Sequence, residues 1–322
     1  MKVIDRVYGE EEIMESVLID LINSKVVQRL KGISQFGMPR EYYHINGFSR
    51  YEHSVGVLIL LRRLGASIEE QVAGLLHDVS HTAFSHVVDW AIGDPTREDF
   101  QDKNHLKFIE KSELKGILTK YNLDYSKIAK IEEFGLLEQE APGLCADRVD
   151  YTLREMRLFG DKGVDFMIKS LANFDGKIVF NFLKAAEAFA FGYARCQKEH
   201  WGGNQARVRY YILADILKEA IEKKIICLDD LYKTESQVLN ILMSSGNEHI
   251  LGKLNALRNG FKIINFSGEG GVLIKKKFRY VDPDVIVGCE TKKLSELSSE
   301  YGKNLKIQKV EGGVPASVRI IY

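Results

Sequence analysis

The sequence predicts a mainly α-helical fold followed by a small C-terminal α+β domain. Two observations lead to this prediction. Over most of the chain, apolar residues recur at every third or fourth position, which is the spacing of a buried helix face. After Asn259 and Gly260 they instead form short β-branched and aromatic runs, which are typical of strands. We therefore divide the chain into a helical domain, residues 1–258, and an α+β domain, residues 259–322.

Helical spacing accounts for most of the elements before residue 259. Glycines and a proline between Gly32 and Gly47 interrupt it, so residues 35–50 are predicted to be a loop. Residues 177–182 fit either a strand or the start of the next helix. The predicted helices cover residues 11–31, 53–64, 69–77, 82–92, 142–159, 182–198 and 207–224, with shorter helices within 111–141 and 228–258.

The α+β domain is predicted from short apolar runs between turn residues. One helix, at about residues 293–301, interrupts them. The predicted strands cover residues 261–266, 272–274, 278–280, 285–287, 305–310 and 317–322.

Charge and cysteine content narrow the class of protein. The 45 lysines and arginines balance 45 aspartates and glutamates, so the chain has no broad attraction for nucleic acids or anionic membranes. The short basic run at Lys275, Lys276 and Lys277 is expected to be a solvated strand or turn. Four widely spaced cysteines form no C-x-x-C pair, which argues against a zinc ribbon or a disulfide framework and fits a cytoplasmic protein.

The sequence shows no pattern typical of a signal peptide or a membrane span. The first residues are too charged for a signal peptide, and the longest apolar run, residues 55–61, is far too short to span a membrane. We therefore expect no membrane partner.

Histidines are concentrated in one part of the sequence. Five of the eight lie between His53 and His105. His77 and Asp78 end an apolar helix face that includes Leu75 and Leu76. Burying such an ionisable pair costs several kcal/mol unless its charge is compensated, and a divalent cation is the simplest way to compensate it.

The predicted helix order brings further ligands to this pair. Two helices joined by a short turn pack antiparallel, which places His53 beside His77 and Asp78. With Asp147, the set contains two imidazoles and two carboxylates and suits a divalent transition ion or magnesium. An ion with open coordination positions activates water and polarises a phosphoryl oxygen, so the pattern favours phosphoester hydrolysis.

Three blocks of sequence carry a resemblance to a known family. They resemble the HD-domain phosphohydrolase superfamily, which has an all-helical fold, and are most similar to its deoxynucleoside triphosphate triphosphohydrolase branch. The resemblance extends from about Gln28 to Glu155 and more loosely to Arg258. The blocks are Arg50-Tyr-Glu-His53-Ser-Val-Gly56, His77-Asp-Val-Ser-His-Thr-Ala-Phe-Ser-His86 with Asp89, and Ala146-Asp-Arg-Val-Asp-Tyr151.

The resemblance implies a role for each matching residue. The implied metal ligands are His53, His77, Asp78 and Asp147, and the ion would be iron, manganese, magnesium, nickel or zinc. The implied proton-transfer residues are His81, Asp89 and His105. The implied substrate contacts are Arg50, Arg148 and Arg195 on phosphates, Gln35 on the sugar or base, and Tyr151 on the deoxyribose.

The chain departs from the family pattern at two places. Glu155 stands where an aspartate is usual, and Trp201 to Tyr211 replace an Arg-x-Val-Tyr-x-His type of pattern. The expected reaction converts a deoxynucleoside triphosphate into a deoxynucleoside and triphosphate. The alternatives are a nucleotidase or phosphodiesterase acting on other nucleotides, and a non-catalytic nucleotide-binding sensor. The partners expected are a nucleotide and, in a homo-oligomer, further copies of the chain.

Overall fold

The computed structural model describes residues 1–266, 271–274, 277–312 and 314–322. Lys275 and Lys276 of the short basic run lie outside these ranges. Within them the chain is mainly helical with small sheets, which confirms the predicted fold class. None of the helices in the described ranges is long and apolar enough to cross a membrane.

The first half of the chain is almost entirely helical after an antiparallel hairpin of β1 (Lys2–Asp5) and β2 (Gly9–Glu12). Its helices are α1 (Ser16–Asn23), α2 (Lys25–Arg29), α3 (Arg50–Arg63), α4 (Ile68–Leu76), α5 (Val87–Ile92), α6 (Phe100–Lys111), α7 (Glu113–Lys120), α8 (Tyr125–Ile128) and α9 (Ala146–Leu158).

The second half alternates helices with short strands. Its helices are α10 (Val164–Ser170), α11 (Leu183–Cys196), α12 (Asn204–Glu222), α13 (Glu235–Ser244), α14 (Glu248–Asn259), α15 (Leu294–Leu297) and α16 (Ser299–Gly312), with a π-helical turn at Gln197–Trp201 after α11. Its strands are β3 (Leu171–Phe174), β4 (Lys177–Phe180), β5 (Lys262–Asn265), β6 (Val272–Ile274), β7 (Asp284–Val287), β8 (Glu290–Lys293) and β9 (Ala316–Ile321).

The start of α3 is fixed by a capping box. The Ser49 hydroxyl accepts a hydrogen bond from the Glu52 backbone N–H at 3.2 Å, and the Glu52 carboxylate accepts one from the Ser49 N–H at 3.0 Å. Helix α4 packs closely on α3 at Gly74. A Cβ atom at this position would collide with the Leu61 side chain. These local features bring the first turn of α3 next to the end of α4, where the predicted site lies.

The helices and sheets enclose two apolar clusters. One lies among α3, α4, α9 and α11 and also receives Val281, Val285 and Tyr301 from the last part of the chain. The other lies around α12, α13 and α14 and receives Ile274 and Val318. Residues beyond 259 therefore contribute to both cores.

One of the sheets contains strands from both sides of residues 258 and 259, where the sequence predicts a domain boundary. One sheet has the order β3-β4-β7-β8, with β4 parallel to β7 and the other pairs antiparallel, so it joins strands from both sides of that boundary. The other sheet, β5-β9-β6, lies wholly after residue 259 and is antiparallel. The C-terminal residues are thus built onto the helical part rather than set apart from it.

Several predicted elements need correction. Residues 305–310 belong to α16 rather than to a strand, because Tyr301 and Leu305 are buried four positions apart, with the Tyr301 ring 5.4 Å from Phe191. Residues 278–280 are not a strand. The predicted helix at 82–92 begins only at Val87, since Phe84 and Ser85 have φ angles of 66° and 51°. Residues 11–31 divide among β2, α1 and α2.

Candidate metal centre and cavity

Three side chains from separate helical segments converge on one point. His53 lies in the first turn of α3, His77 follows the last residue of α4, and Asp147 lies in the first turn of α9. Their potential ligand atoms all lie within 4.8 Å of one another. The Asp147 Oδ1 atom is 2.8 Å from His53 Nε2 and 3.6 Å from His77 Nε2.

The hydrogen bonds behind the two imidazoles leave both Nε2 atoms facing this point. His77 Nδ1 donates to the Gly74 carbonyl at 2.7 Å, and His53 Nδ1 donates to Asp150 Oδ2 at 2.7 Å. The two Nε2 atoms are only 3.2 Å apart. Two ring nitrogens so close together, next to a carboxylate, need a proton or a cation between them, and a metal ion would replace the proton on His53 Nε2. The donor set therefore fits a divalent metal ion.

A buried chain of charged groups supports His53. Arg154 donates to both oxygens of Asp150, at 2.9 and 3.0 Å, and forms an ion pair of 2.8 Å with Asp5. All of these groups are buried. Asp150 and Arg154 were not predicted as site residues. They lie three and seven residues after Asp147 on the same helix, and this spacing indicates a shared helix face.

Asp78 stands beside the three-residue group rather than within it. Its oxygens lie 3.8 Å from His53 Nε2 and 3.5 Å from His77 Nε2. Its Oδ2 atom accepts a hydrogen bond of 2.5 Å from Arg50 Nη1, while Arg50 Nε donates to Ser85 Oγ at 2.7 Å. Asp78 thus remains a candidate fourth ligand, and Arg50 partly neutralises its charge.

Burial and neighbouring charges shift the ionisation of these groups. Burial alone would lower the pKa of His53, but hydrogen bonds to Asp147 and Asp150 raise it to about 9. Burial would raise the pKa of Asp78, but the charge of Arg50 holds it well below its usual value. Burial and the Arg50 charge lower the pKa of His81, so its ring is neutral at pH 7.

A cavity of about 350 Å³ opens beside this centre. Eight of the site residues predicted from the sequence line this cavity: Gln35, Arg50, His77, Asp78, His81, Asp147, Arg148 and Tyr151. His53 lies beneath them, fully buried. The sequence therefore located most of one wall of the cavity.

Three of the expected site residues do not line this cavity within the described part of the chain. Asp89 accepts a hydrogen bond from the Phe100 N–H at 2.9 Å and lies behind His86, which does line the cavity. His105 is buried against Ser80, and burial lowers its pKa to about 4. Arg195 is 43% exposed and pairs with Asp161 at 3.3 Å. Helical spacing could not show that these side chains point away.

A second wall of the cavity was not expected from the sequence. His200 Nδ1 and Trp201 Nε1 donate to the Glu155 carboxylate at 2.6 and 2.7 Å, and the Tyr43 hydroxyl donates to His200 Nε2 at 2.8 Å. The π-helical turn at Gln197–Trp201 places these rings at the cavity. Residues 277–280 also line it.

Comparison with known proteins identifies the family. The HD domain family matches residues 50–154, the range that contains His53, His77, Asp78 and Asp147. The chain belongs to the HD-domain phosphohydrolase superfamily. Within this superfamily it is similar to the uncharacterized protein YdhJ of Bacillus subtilis, with 38% identity over 98% of each chain.

Other relatives and a solved structure resemble parts or all of the chain. The metal-dependent phosphohydrolase cns2 of Cordyceps militaris is 36% identical over 64% of this chain and 62% of its own length. Bovine deoxynucleoside triphosphate triphosphohydrolase SAMHD1 is 37% identical over 28% of this chain and 18% of its own length. The fold resembles that of a phosphohydrolase from Bacteroides thetaiotaomicron, with a TM-score of 0.76, 20% identity and coverage of 100% and 99% of the two chains.

Membership of the HD-domain superfamily settles the class of activity. The chain is a hydrolase, and HD-domain metal-dependent phosphohydrolases use divalent metal ions. This finding favours the enzymatic hypotheses over a non-catalytic sensor.

Proposed function

We propose that this HD-domain enzyme hydrolyses nucleotides, and specifically that it converts a deoxynucleoside triphosphate into a deoxynucleoside and triphosphate. The observation that carries the proposal is that His77, Asp78 and Asp147 line one cavity together with the rings of Tyr43, Tyr151 and Trp201. A volume of about 350 Å³ is within the range of small-molecule sites.

The two kinds of lining match the two parts of a nucleotide. The candidate metal ligands and Arg50 suit a phosphate group, which carries negative charge. The rings of Tyr43, Tyr151 and Trp201 suit a base and sugar, because a stacked base gains about 1–3 kcal/mol from an aromatic face. The partial similarity to the bovine triphosphohydrolase supports the same substrate class.

His53, His77 and Asp147 would hold the divalent ion, with Asp78 as a fourth ligand. Such an ion, when bound, polarises a phosphoryl oxygen and makes water a stronger nucleophile. His81 is neutral at pH 7 and lines the cavity, so its ring nitrogen can accept a hydrogen bond from an attacking water and orient it. Arg50 orients Asp78 through its hydrogen bond of 2.5 Å and presents positive charge to the cavity.

Product analysis tests the proposal. The purified protein, supplied in turn with each candidate divalent ion, is incubated with deoxynucleoside triphosphates, ribonucleoside triphosphates and nucleoside monophosphates. Release of inorganic triphosphate is the expected result. Orthophosphate released from monophosphates would support a nucleotidase instead. Saturable binding without any product would contradict the proposed reaction.

A further inference from the structure

Two cationic residues of the cavity, Lys277 and Arg279, lie far outside the HD motif in sequence; Lys277 is exposed and donates to the Arg97 carbonyl. Arg279 belongs to the segment of residues 277–280 that precedes β7, and all four residues of this segment line the cavity. The HD domain match ends at residue 154, so the segment is supplied by a different part of the chain.

Contacts with α16 and with the loop before α6 fix this segment. The rings of Phe278 and Tyr280 are stacked 5.6 Å apart, and Lys309 Nζ lies 4.7 Å from the centre of the Tyr280 ring. A Cβ atom at Gly312 would collide with Phe278, so the end of α16 packs tightly against it. Arg279 Nη2 donates to the carboxylate of Glu98, which is buried.

Arg279 lines the same cavity as the rings of Tyr151, Tyr193 and Tyr210. Burial raises the pKa of Tyr151, Tyr193 and Tyr210, while the charge of Arg279 acts on all three hydroxyls in the opposite direction. Its side chain is 23% exposed. A guanidinium has five N–H donors, and the bond to Glu98 uses one of them.

Arg50 and Arg148 each make more than one hydrogen bond within the protein, whereas one is seen for Arg279 in the described part of the chain. Arg50 donates to Asp78 and Ser85, and Arg148 donates to the carbonyls of Gln139 and Gly143. Arg195 lies outside the cavity lining. The carboxylates of Glu98, Asp102 and Glu138 also line the cavity and would repel a polyphosphate. A substrate with several negative charges therefore needs a cation in addition to the metal ion.

We propose that Arg279 binds the phosphate groups of the substrate that lie beyond the scissile bond. The C-terminal part of the chain thereby completes the active site, and Glu98 is the positioning residue that holds the guanidinium. This inference rests on the proposed nucleotide substrate, and it specifies that the substrate carries more than one phosphate.

Binding and turnover of Arg279 variants test this inference. The first probe is inorganic tripolyphosphate, whose affinity for the full-length protein is measured by calorimetry. Arg279→Ala should weaken its binding by about 10- to 100-fold, the loss expected for one hydrogen bond between charged groups. Arg279→Lys should lose less, because it keeps the charge. Arg40→Ala is the matched control, since Arg40 is exposed and outside the cavity lining, and should bind like the wild type.

A second measurement separates this inference from the proposed function. For a triphosphate substrate, Arg279→Ala should raise KM by a similar factor, whereas KM for p-nitrophenyl phosphate, which has a single phosphate, should not change. If the wild type hydrolyses no nucleotide but tripolyphosphate binding depends on Arg279, the proposed function fails and the anion site stands. Equal tripolyphosphate affinity of wild type, Arg279→Ala and Arg279→Lys, with all three folded, would overturn the inference.

Discussion

The two ends of the cavity are built in different ways. At the metal end, His53, His77 and Asp147 are supported by a buried chain of Asp150, Arg154 and Asp5. At the other wall, His200 of the π-helical turn after α11 is buried, whereas Trp201 and residues 278–280 remain partly exposed. The first end holds charge in a fixed, dry network, while the second presents a surface that a ligand can cover.

We infer from this difference that the metal end serves hydrolysis and that the other wall serves substrate binding. Charged groups buried without partners are costly, so every member of the metal-end network must be present for the others to be tolerated. The opposite wall consists of contacts that can change one by one. We therefore expect substitutions at the metal end to affect metal binding, activity and stability together, and substitutions at the opposite wall to affect substrate affinity alone.

The largest effect is expected for Asp147→Ala. This change removes a metal ligand from a side chain that is 31% exposed, so the protein should remain folded but lose both the ion and hydrolysis. Metal content per chain and turnover are measured on the same preparation. An Asp147→Ala protein with full activity would remove Asp147 from the site.

Gly56→Ala should cause the largest loss of stability. A methyl group at Gly56 would collide with Arg154 Nη2 and Asp150 Oδ1, which are both buried. Overpacking of this kind costs about 1–3 kcal/mol, and disturbing the ion pair adds to that cost. Thermal unfolding gives the measurement.

Gly252→Ala is the matched control for this prediction. Gly252 also lies within a helix, α14, but a methyl group at this position would have no neighbouring atom within 4 Å, so the change should stabilise the protein by about 0.5–1 kcal/mol. Equal effects of the two substitutions would show that the Asp150–Arg154 network adapts easily, contrary to the comparison.

Asp150→Asn should have an intermediate effect, specific to the metal end. The side-chain amide oxygen can still accept a hydrogen bond from His53 Nδ1. The substitution removes the negative charge next to that ring. Loss of such outer support typically lowers metal affinity by about 10- to 100-fold. A metal titration followed by calorimetry measures it, with the exposed Asp165→Asn as control. Unchanged metal affinity would mean that the charge behind His53 does not matter.

The smallest effect concerns Glu235, which holds the loop before Gln35 by accepting hydrogen bonds of 2.9 and 2.8 Å from the Ser34 N–H and hydroxyl. Burial raises its pKa from 4.5 to about 7. Because the folded pKa is the higher one, the stability that the protonated form contributes is fully present below pH 4.5 and is lost as the pH rises through about 7.

Glu235→Gln should therefore raise the Tm above pH 7 and have no such effect below pH 4.5. Each kcal/mol corresponds to about 1–2 °C in a protein of this size. Melting curves at pH 4.5 and 8 test this expectation, with the exposed Glu300→Gln as control. A Tm difference between Glu235→Gln and wild type that does not vary with pH would contradict it.

The convergence of His53, His77 and Asp147 could be expected from the sequence, because the information for it lies in short segments. Helical spacing, the short turn between the first two histidine-bearing helices and the three motif blocks are all properties of neighbouring residues. The same spacing could not show that Asp89 and His105 lie outside the cavity lining, where they bond to Phe100 and Ser80 in neighbouring segments. A strand was also predicted at residues 305–310. The helix there has two buried residues, Tyr301 and Leu305, and so short a repeat does not indicate a helix in the sequence.

By itself, the sequence determined a mainly helical hydrolase of the HD-domain superfamily and four candidate metal ligands. Only the tertiary structure decided which side chains support those ligands and which form the opposite wall. Asp5 meets Arg154, and Glu98 meets Arg279, over separations of about half the chain length. Such pairs leave no periodic pattern in the sequence, because their contact depends on how whole helices and strands pack against each other.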